Sequence, residues 1–509
     1  MATWTSGYVS EISYTQGFYR ELTPAVLGFV ALSKGVSARK AEAPLAYCEL
    51  GCGQGFSANV LAAANPHVSF HATDFNPTHV AGARALAAAA GSSNIRFYDD
   101  AFADFLARDD LPDFDIVSLH GIWSWISAEN RRVIVEFIRR RLKVGGLVYL
   151  SYNALPGWAS GMPLRRLLVD HAAVATGSIE KRIDAALAFS ERIRSANSVY
   201  FRVNPGVGER LDRMKASSRN YLAHEHLNRD WEPFYHADVA AELDEAKLSF
   251  VGSTALLDHV DAVSLTQEHR DVLADVPAPA LRETVRDFLV NQQFRRDVFQ
   301  KGPIALNALD LQDAWADQRF ALSIRREDAV MHVDGAGGRM GLIAEVYAPI
   351  LDAFASGPRT IRQIAADAAI AGLGWARLRQ AITVLVGTDQ LQPCLGEAGE
   401  SARAERTRAF NRAVVLRARA SADLGCLASP VTGSGVAVDR FGQLFILAEI
   451  EGEADPAQFA ASILEAQGQR VVKDGRRLEN PAEHLAEFRA QYEAFQTRRR
   501  PVLTALGVV

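Results

Sequence analysis

Cysteine is scarce: Cys48, Cys52, Cys394 and Cys426 are the only four in 509 residues, too few and too scattered for a disulfide framework or a four-thiolate zinc site. Long apolar runs are missing too, and nothing approaches the ~18 residues that suggest a membrane span. The N-terminus, Met1-Ala2-Thr3-Trp4-Thr5-Ser6, has no basic start followed by a hydrophobic block, so no secretory leader is expected. Neither sign of charge dominates. The 55 basic and 60 acidic side chains leave a formal net charge of −5, so no strong global field draws the chain to nucleic acid or anionic membrane. Internal repeats and low-complexity linkers are also lacking. What remains is a composition, 49% hydrophobic and 23% charged, that can build full cores. At roughly 150 residues per domain the length predicts about three domains, and the expectation is a cytoplasmic, multi-domain protein.

From residue 46 the sequence alternates short apolar runs with helical patterns. Strands are predicted at 45–50, 68–73, 95–98, 114–120 and 147–151, the last after a Gly145-Gly146 turn. Helices are predicted at 56–64, 78–90 and 129–142. Alternation at this spacing implies βαβ units and a parallel α/β sheet. It stops after the fifth strand, where 160–230 carries long helical patterns, and resumes with a helix at 237–246 and strands at 248–253 and 295–300. The predicted division is an N-terminal cap (1–40), a core (41–160 and 231–305), a helical insertion over the mouth of the sheet (160–230), a winged-helix-like module (306–395) and a mixed C-terminal domain (396–509).

The sharpest signal is Glu49-Leu50-Gly51-Cys52-Gly53-Gln54-Gly55 at the end of the first strand. Alternate glycines let the backbone turn tightly and approach a ligand, and the following helix offers free N–H groups. Asp74 ends the second strand, where a carboxylate can accept from ribose hydroxyls. Asp100, after the third strand, can accept from an adenine amine, while His120 and Tyr152-Asn153 end the fourth and fifth. Together these strand ends describe a nucleoside pocket. A dinucleotide site needs G-x-G-x-x-G. Here an acid precedes the first glycine instead, which suits an amine better than a pyrophosphate.

Glu49 to Gly55, Asp74, Asp100-Ala101 and Lys143-Val144-Gly145-Gly146 resemble class I S-adenosylmethionine-dependent methyltransferases. Tyr14-Thr15-Gln16-Gly17-Phe18-Tyr19, the stretch from Leu119 to Ile126, Ser151-Tyr152-Asn153-Ala154-Leu155-Pro156-Gly157 and Tyr221-Leu222-Ala223-His224-Glu225 are similar to a bacterial subgroup. That subgroup carries a methyltransferase regulatory domain and includes protein-lysine methyltransferases. The resemblance implies a Rossmann-like sheet with a helical insertion, followed by a mostly helical C-terminal region. It also implies S-adenosyl-L-methionine as cofactor: Gly51, Gly53 and Gly55 at its methionine part, Asp74 at ribose, Asp100 and Ala101 at adenine, and Tyr14 and Tyr19 closing the pocket. By their own places at strand ends Glu49, suited to the amine, and His120 are added to the cofactor-binding residues. No Asn-Pro-Pro-Tyr signature follows the fourth strand, which removes support for methylation of an amide or nucleobase amine.

Candidates for the acceptor side are His120, Trp123, Tyr152, Asn153, Tyr221 and His224. His120 could equally cap a strand end, and one of Trp123 and Trp125 is expected to be a core plug. His224 and His226, at i and i+2, suit a strand, but no third ligand at a zinc spacing follows, so no metal is expected. Helical patterns at 342–355, 360–367 and 375–386 carry Arg359, Arg362, Arg377 and Arg379, which could contact phosphate, yet an acidic chain and the amphipathic third pattern favour protein docking there. The leading expectation is an N-methyltransferase acting on lysine of a protein substrate, with no nucleic-acid partner and no membrane insertion; a homodimer stays open. The alternatives are a small-molecule methyltransferase with His120 as base, and a non-catalytic sensor of the cofactor.

Overall fold

The computed structural model describes residues 7–9 and 16–509. Seven strands form its central sheet: β1 (Ala46–Leu50), β2 (Ser69–Thr73), β3 (Ile95–Tyr98), β4 (Phe114–Leu119), β5 (Leu142–Asn153), β6 (Leu248–Ser253) and β7 (Phe294–Lys301). Their spatial order is β3-β2-β1-β4-β5-β7-β6. Strands β1 to β5 run parallel, and β7 lies antiparallel between β5 and β6. The chain winds outward from β1 to β3, then restarts at β4 on the other side of β1. The reversal opens a crevice at the C-terminal ends of β1 and β4, where ligands of open parallel sheets bind.

The helices that position this crevice are α1 (Pro24–Ser33), α2 (Phe56–Ala64), α3 (Pro77–Ala89), α4 (Phe102–Leu106) and α5 (Ala128–Arg141). Local chemistry starts them: the Asn76 side chain accepts from the Thr78 N–H ahead of Pro77, and Ser127 accepts from the Asn130 N–H. One expectation needs correcting. Gly145-Gly146 does not form a turn before the fifth strand; β5 runs through both glycines, and a register shift opposite Phe114 to Ile116 absorbs them.

Strand alternation divides the core. Tyr47, Phe70, Leu147, Tyr149 and Val298 face α1 together with Trp315, Phe320 and Leu385 of the following module. Cys48, Leu50, Val117, Leu119, Val148 and Leu150 face α5. After β5 come α6 (Met162–Val174), α7 (Ile179–Ser195), α8 (Val199–Val203), α9 (Pro205–Ala216) and α10 (Arg219–His226). They bury a core of their own around Leu168, Ile183, Leu187, Leu211 and Leu222. The segment bearing His224 and His226 is therefore helical, not a strand, with the Ser218 side chain capping it at the Tyr221 N–H. Residues two apart on a helix point to different sides. Next, α11 (His236–Asp244) leads into β6.

Residues 319–394 hold a three-stranded sheet with Arg319–Leu322 at its centre, between Arg359–Thr360 and Leu391–Cys394. Helices Ala344–Phe354, Ile361–Ala365 and Trp375–Gly387 complete the unit, whose central strand comes from upstream rather than from a C-terminal wing. Arg359 pairs with Asp367 and Arg362 with Asp317, while Arg379 lies over the Trp315 ring, so three of the four arginines considered for phosphate contacts are engaged internally. The last stretch, from Glu400, packs helices and the hairpin Cys426–Ser429/Ser434–Ala437 against the outer face of α2, burying Phe56, Val60 and Ala64 with Phe410, Val414 and Leu427.

Candidate active site

A cavity of about 160 Å³ opens at the C-terminal ends of β1, β2 and β4. Its floor is the turn from Glu49 to Gly55. Gly51 and Gly55 have φ of 75° and 67°, in the left-handed region that glycine tolerates best. A Cβ on Gly51 would lie 2.2 Å from Ile122 Cδ1, and one on Gly55 would lie 2.5 Å from Ala83 Cβ. The turn is closed by Asp74, whose carboxylate accepts from the backbone N–H groups of Gly53 (2.9 Å) and Asn76 (2.9 Å) and contacts His79 Nδ1 at 3.1 Å.

Glu49 is 5% exposed, and among the described residues its Oε2 has no hydrogen-bond partner. Burial, with the nearby charge of Asp74, pushes its carboxyl up to about 8. A desolvated acid with an orphaned oxygen beside a glycine turn lacks a cationic donor. Asp100 lines the same cavity and receives Arg108 at 3.0 Å, and Ala101 follows it at the start of α4. His120 lies at the far wall, stacked on Tyr19 with ring centroids 3.7 Å apart and hydrogen bonded through Nδ1 to the Tyr149 hydroxyl at 2.9 Å. Burial lowers its pKa to about 4, so the imidazole is neutral at pH 7. Residues 16–19 cross the opening, tied to α2 by Ser57: its hydroxyl donates to the Gly17 carbonyl (3.0 Å) and accepts from the Tyr19 N–H (3.2 Å).

Of the residues singled out from sequence, Tyr19, Glu49, Gly51, Gly53, Gly55, Asp74, Asp100, Ala101 and His120 meet in this one cavity. Tyr14 lies outside the described residues. Trp123 and Tyr152 do not line it, which corrects their assignment to the acceptor side. Trp123 is wholly buried in the core under β4, with Trp125 at the cavity instead. The Ser151 hydroxyl accepts from the Gly121 N–H on the cavity side, and strand parity sends Tyr152 to the opposite face. There its hydroxyl donates to Asp297 (2.8 Å) within the buried Arg295–Asp297–Asp287 network. Asn153, Tyr221 and His224 stand one layer back from the cavity. Asn153 takes the Trp158 indole N–H at 3.0 Å, His224 packs against Tyr8 (5.5 Å), and Tyr221 is 44% exposed. Residues missed from sequence are Tyr8, Phe75 and His79, all cavity-lining, while Ile122 and Trp125 line it from within the Leu119–Ile126 motif. Phe75 directly follows Asp74 and could have been found there; Tyr8 comes from a segment with no local pattern.

A parallel sheet with its seventh strand reversed, and a cavity at the first glycine turn, define the class: a methyltransferase of Rossmann-like fold. A family model described as a methyltransferase domain matches residues 48–148, and one described as a predicted methyltransferase regulatory domain matches 218–301. An uncharacterized protein of Synechocystis, sll1526, is 42% identical over 506 residues, covering 99% of this chain and 100% of that one. Protein RP789 of Rickettsia prowazekii is 25% identical over 305 residues, 58% of this chain and 53% of its own. Among solved structures, PKMT2 from Rickettsia typhi in complex with AdoHcy shares the fold at TM-score 0.68 and 17% identity, over 95% of this chain and 98% of that one. The chain belongs to the family of sll1526, and it is an S-adenosylmethionine-dependent methyltransferase carrying a methyltransferase regulatory domain.

Proposed function

We propose that this enzyme methylates the side-chain amine of lysine in a protein substrate. The observation that carries the reading is the joint between two environments: a cofactor cavity floored by an unpartnered buried acid, and an aromatic layer of Tyr8, Tyr19 and Trp125 on its wall. The likeness in fold to PKMT2 of Rickettsia typhi supports it.

The orphaned Oε2 of Glu49 and the Cβ-free cradle at Gly51 fit the amino-acid end of S-adenosylmethionine. Asp74 would face its ribose, and Asp100 with Ala101 its adenine. The cofactor supplies an electrophilic methyl group on a sulfonium. The protein's part is to hold the acceptor nitrogen in line with that methyl and to keep water out. Tyr19, stacked on His120 and fastened by Ser57, covers the opening. His120, neutral because it is buried, sets no positive charge against a cationic ligand. The same depressed pKa makes it a poor base, which counts against a hydroxyl acceptor. An amine entering between aromatic rings loses hydration, which favours its neutral, nucleophilic form.

The test is incubation with methyl-labelled cofactor and cell lysate. Label on protein, recovered after hydrolysis as methylated lysine, is the expected result; label confined to small molecules would reject the protein-substrate reading.

A further inference from the structure

His79 stands in the first turn of α3 and lines the cofactor cavity while only 6% exposed. Asn76-Pro77-Thr78 sets it there: Pro77 opens the helix and the Asn76 side chain caps it, which brings the ring back onto Asp74. Its two nitrogens have opposite neighbours. Nδ1 is 3.1 Å from Asp74 Oδ1, an oxygen that already accepts the Asn76 N–H. Nε2 is 3.4 Å from the Asn76 amide nitrogen, while the oxygen of that amide accepts the Thr78 N–H. Both contacts ask for one tautomer, with the proton on Nδ1 and Nε2 left as an acceptor. The second contact is long, and a hydroxyl would be a better donor there.

Lone pairs are the limiting quantity. A carboxylate offers about four acceptor sites, two on each oxygen. Among the described residues, Gly53 fills one on Asp74 Oδ2, while Asn76 and His79 fill both on Oδ1. A single site remains, on Oδ2. The ribose of S-adenosylmethionine brings two adjacent hydroxyl donors, so Asp74 can satisfy one of them and the other is left over. A hydroxyl taken out of water without a partner weakens binding. The acceptor held beside the same carboxylate is His79 Nε2.

Building on the S-adenosylmethionine assignment above, we propose that His79 is a cofactor-binding residue that shares the ribose with Asp74. One hydroxyl donates to Asp74 Oδ2 and the other to His79 Nε2, displacing the long Asn76 contact. Asn76 is only partly buried, so its amide can turn to water. The carboxylate and the ring thus form one two-headed reader of a ribose diol, with its tautomer fixed before the ligand arrives. The ligand class is a ribonucleoside with both hydroxyls free. Loss of either hydroxyl costs affinity, each through a different residue.

The test sets S-adenosylhomocysteine against its 2′-deoxy and 3′-deoxy analogues, in calorimetry on the full chain. Each analogue should bind the wild-type protein about tenfold more weakly. His79→Asn is the informative variant, because an asparagine amide can stand in for Nδ1–H against Asp74 but supplies nothing at the Nε2 position. In it S-adenosylhomocysteine should bind about tenfold more weakly, one of the two deoxy penalties should disappear, and the other should persist. No penalty in the wild type, or both kept in the variant, would overturn the proposal. Both lost in the variant would overturn it too, by making His79 a mere support for Asp74. A second readout needs no folded variant. In nitrogen NMR of the histidine-labelled wild-type chain, the unprotonated Nε2 of His79 should move upfield with S-adenosylhomocysteine and less with one deoxy analogue; equal movement with all three ligands would contradict the proposal. Absence of heat with S-adenosylhomocysteine itself would instead fell the cofactor assignment on which it rests, and this inference with it.

Discussion

At the scale of single residues, charge without a partner is the main signal. Glu49 is held protonated in the ligand-free protein because its ionised form is buried beside Asp74. A carboxyl whose folded-state pKa lies above its unfolded value contributes stability that is full below the unfolded value and is lost as pH rises through the folded one. The ligand-free protein should therefore lose stability between about pH 5 and pH 9. Glu49→Gln should flatten part of that slope in thermal melts, and Glu225 and Asp287, likewise raised by burial, contribute in the same sense. The same variant removes a charge-assisted contact of about 1.5–3 kcal/mol, so calorimetry should read a tenfold to hundredfold weaker affinity for S-adenosylmethionine. Gly51→Ala is expected to be worse. Its Cβ meets Ile122 at 2.2 Å and its φ of 75° is strained for alanine, so cofactor binding should fall below detection while far-UV circular dichroism is kept.

At the scale of elements, the decisive piece is the strap of residues 16–19. One hydroxyl, that of Ser57, holds it to α2 by two hydrogen bonds. Ser57→Ala should release about 1–2 kcal/mol of that hold, and stopped-flow should show cofactor leaving about tenfold faster with little change in melting temperature. The elements around the strap differ in how far the sequence betrays them. The glycine turn, Asp74 and Asp100 were legible because each follows a short apolar run, and the alternation of β1 to β5 with helices sets a parallel sheet. Tyr152 misled because strand ends were read as pointing at the ligand whatever their parity; a one-residue step turned it to the Asp297 side. The i, i+2 spacing of His224 and His226 suits a strand, although Ser218, three positions before Tyr221, offers a helix cap. Tyr8 could not be read at all, since its place at the cavity comes from long-range packing between α10 and the N-terminal segment.

At the scale of the whole molecule, the parts are interleaved. The stretch matched as a regulatory domain, 218–301, supplies β6 and β7 to the central sheet and Asp230 to the lining of the cavity. It is part of the catalytic body rather than an appendage. The C-terminal helices likewise cover α2, the helix that begins at the glycine turn: Phe410, fully buried, stacks on Phe56 with ring centroids 6.5 Å apart. Phe410→Ala should cost about 3–5 kcal/mol and weaken cofactor binding from a distance. Urea unfolding followed by backbone dichroism and by tryptophan fluorescence should remain one coincident transition; a separate early loss of the C-terminal helices would contradict this coupling.

The strap has one more attachment. Thr23, just beyond it, shares a 2.8 Å hydrogen bond with Ser434, and Phe18 packs against Gly435 and its surroundings. The Asn65 amide at the end of α2 donates to the Gly433 carbonyl at 2.7 Å. Segments made first during synthesis thus wait for ones made more than four hundred residues later. A chain cut short before Ser434 lacks the seat for its own N-terminal cover, so truncation ahead of that residue should show faster cofactor release in stopped-flow than the full chain.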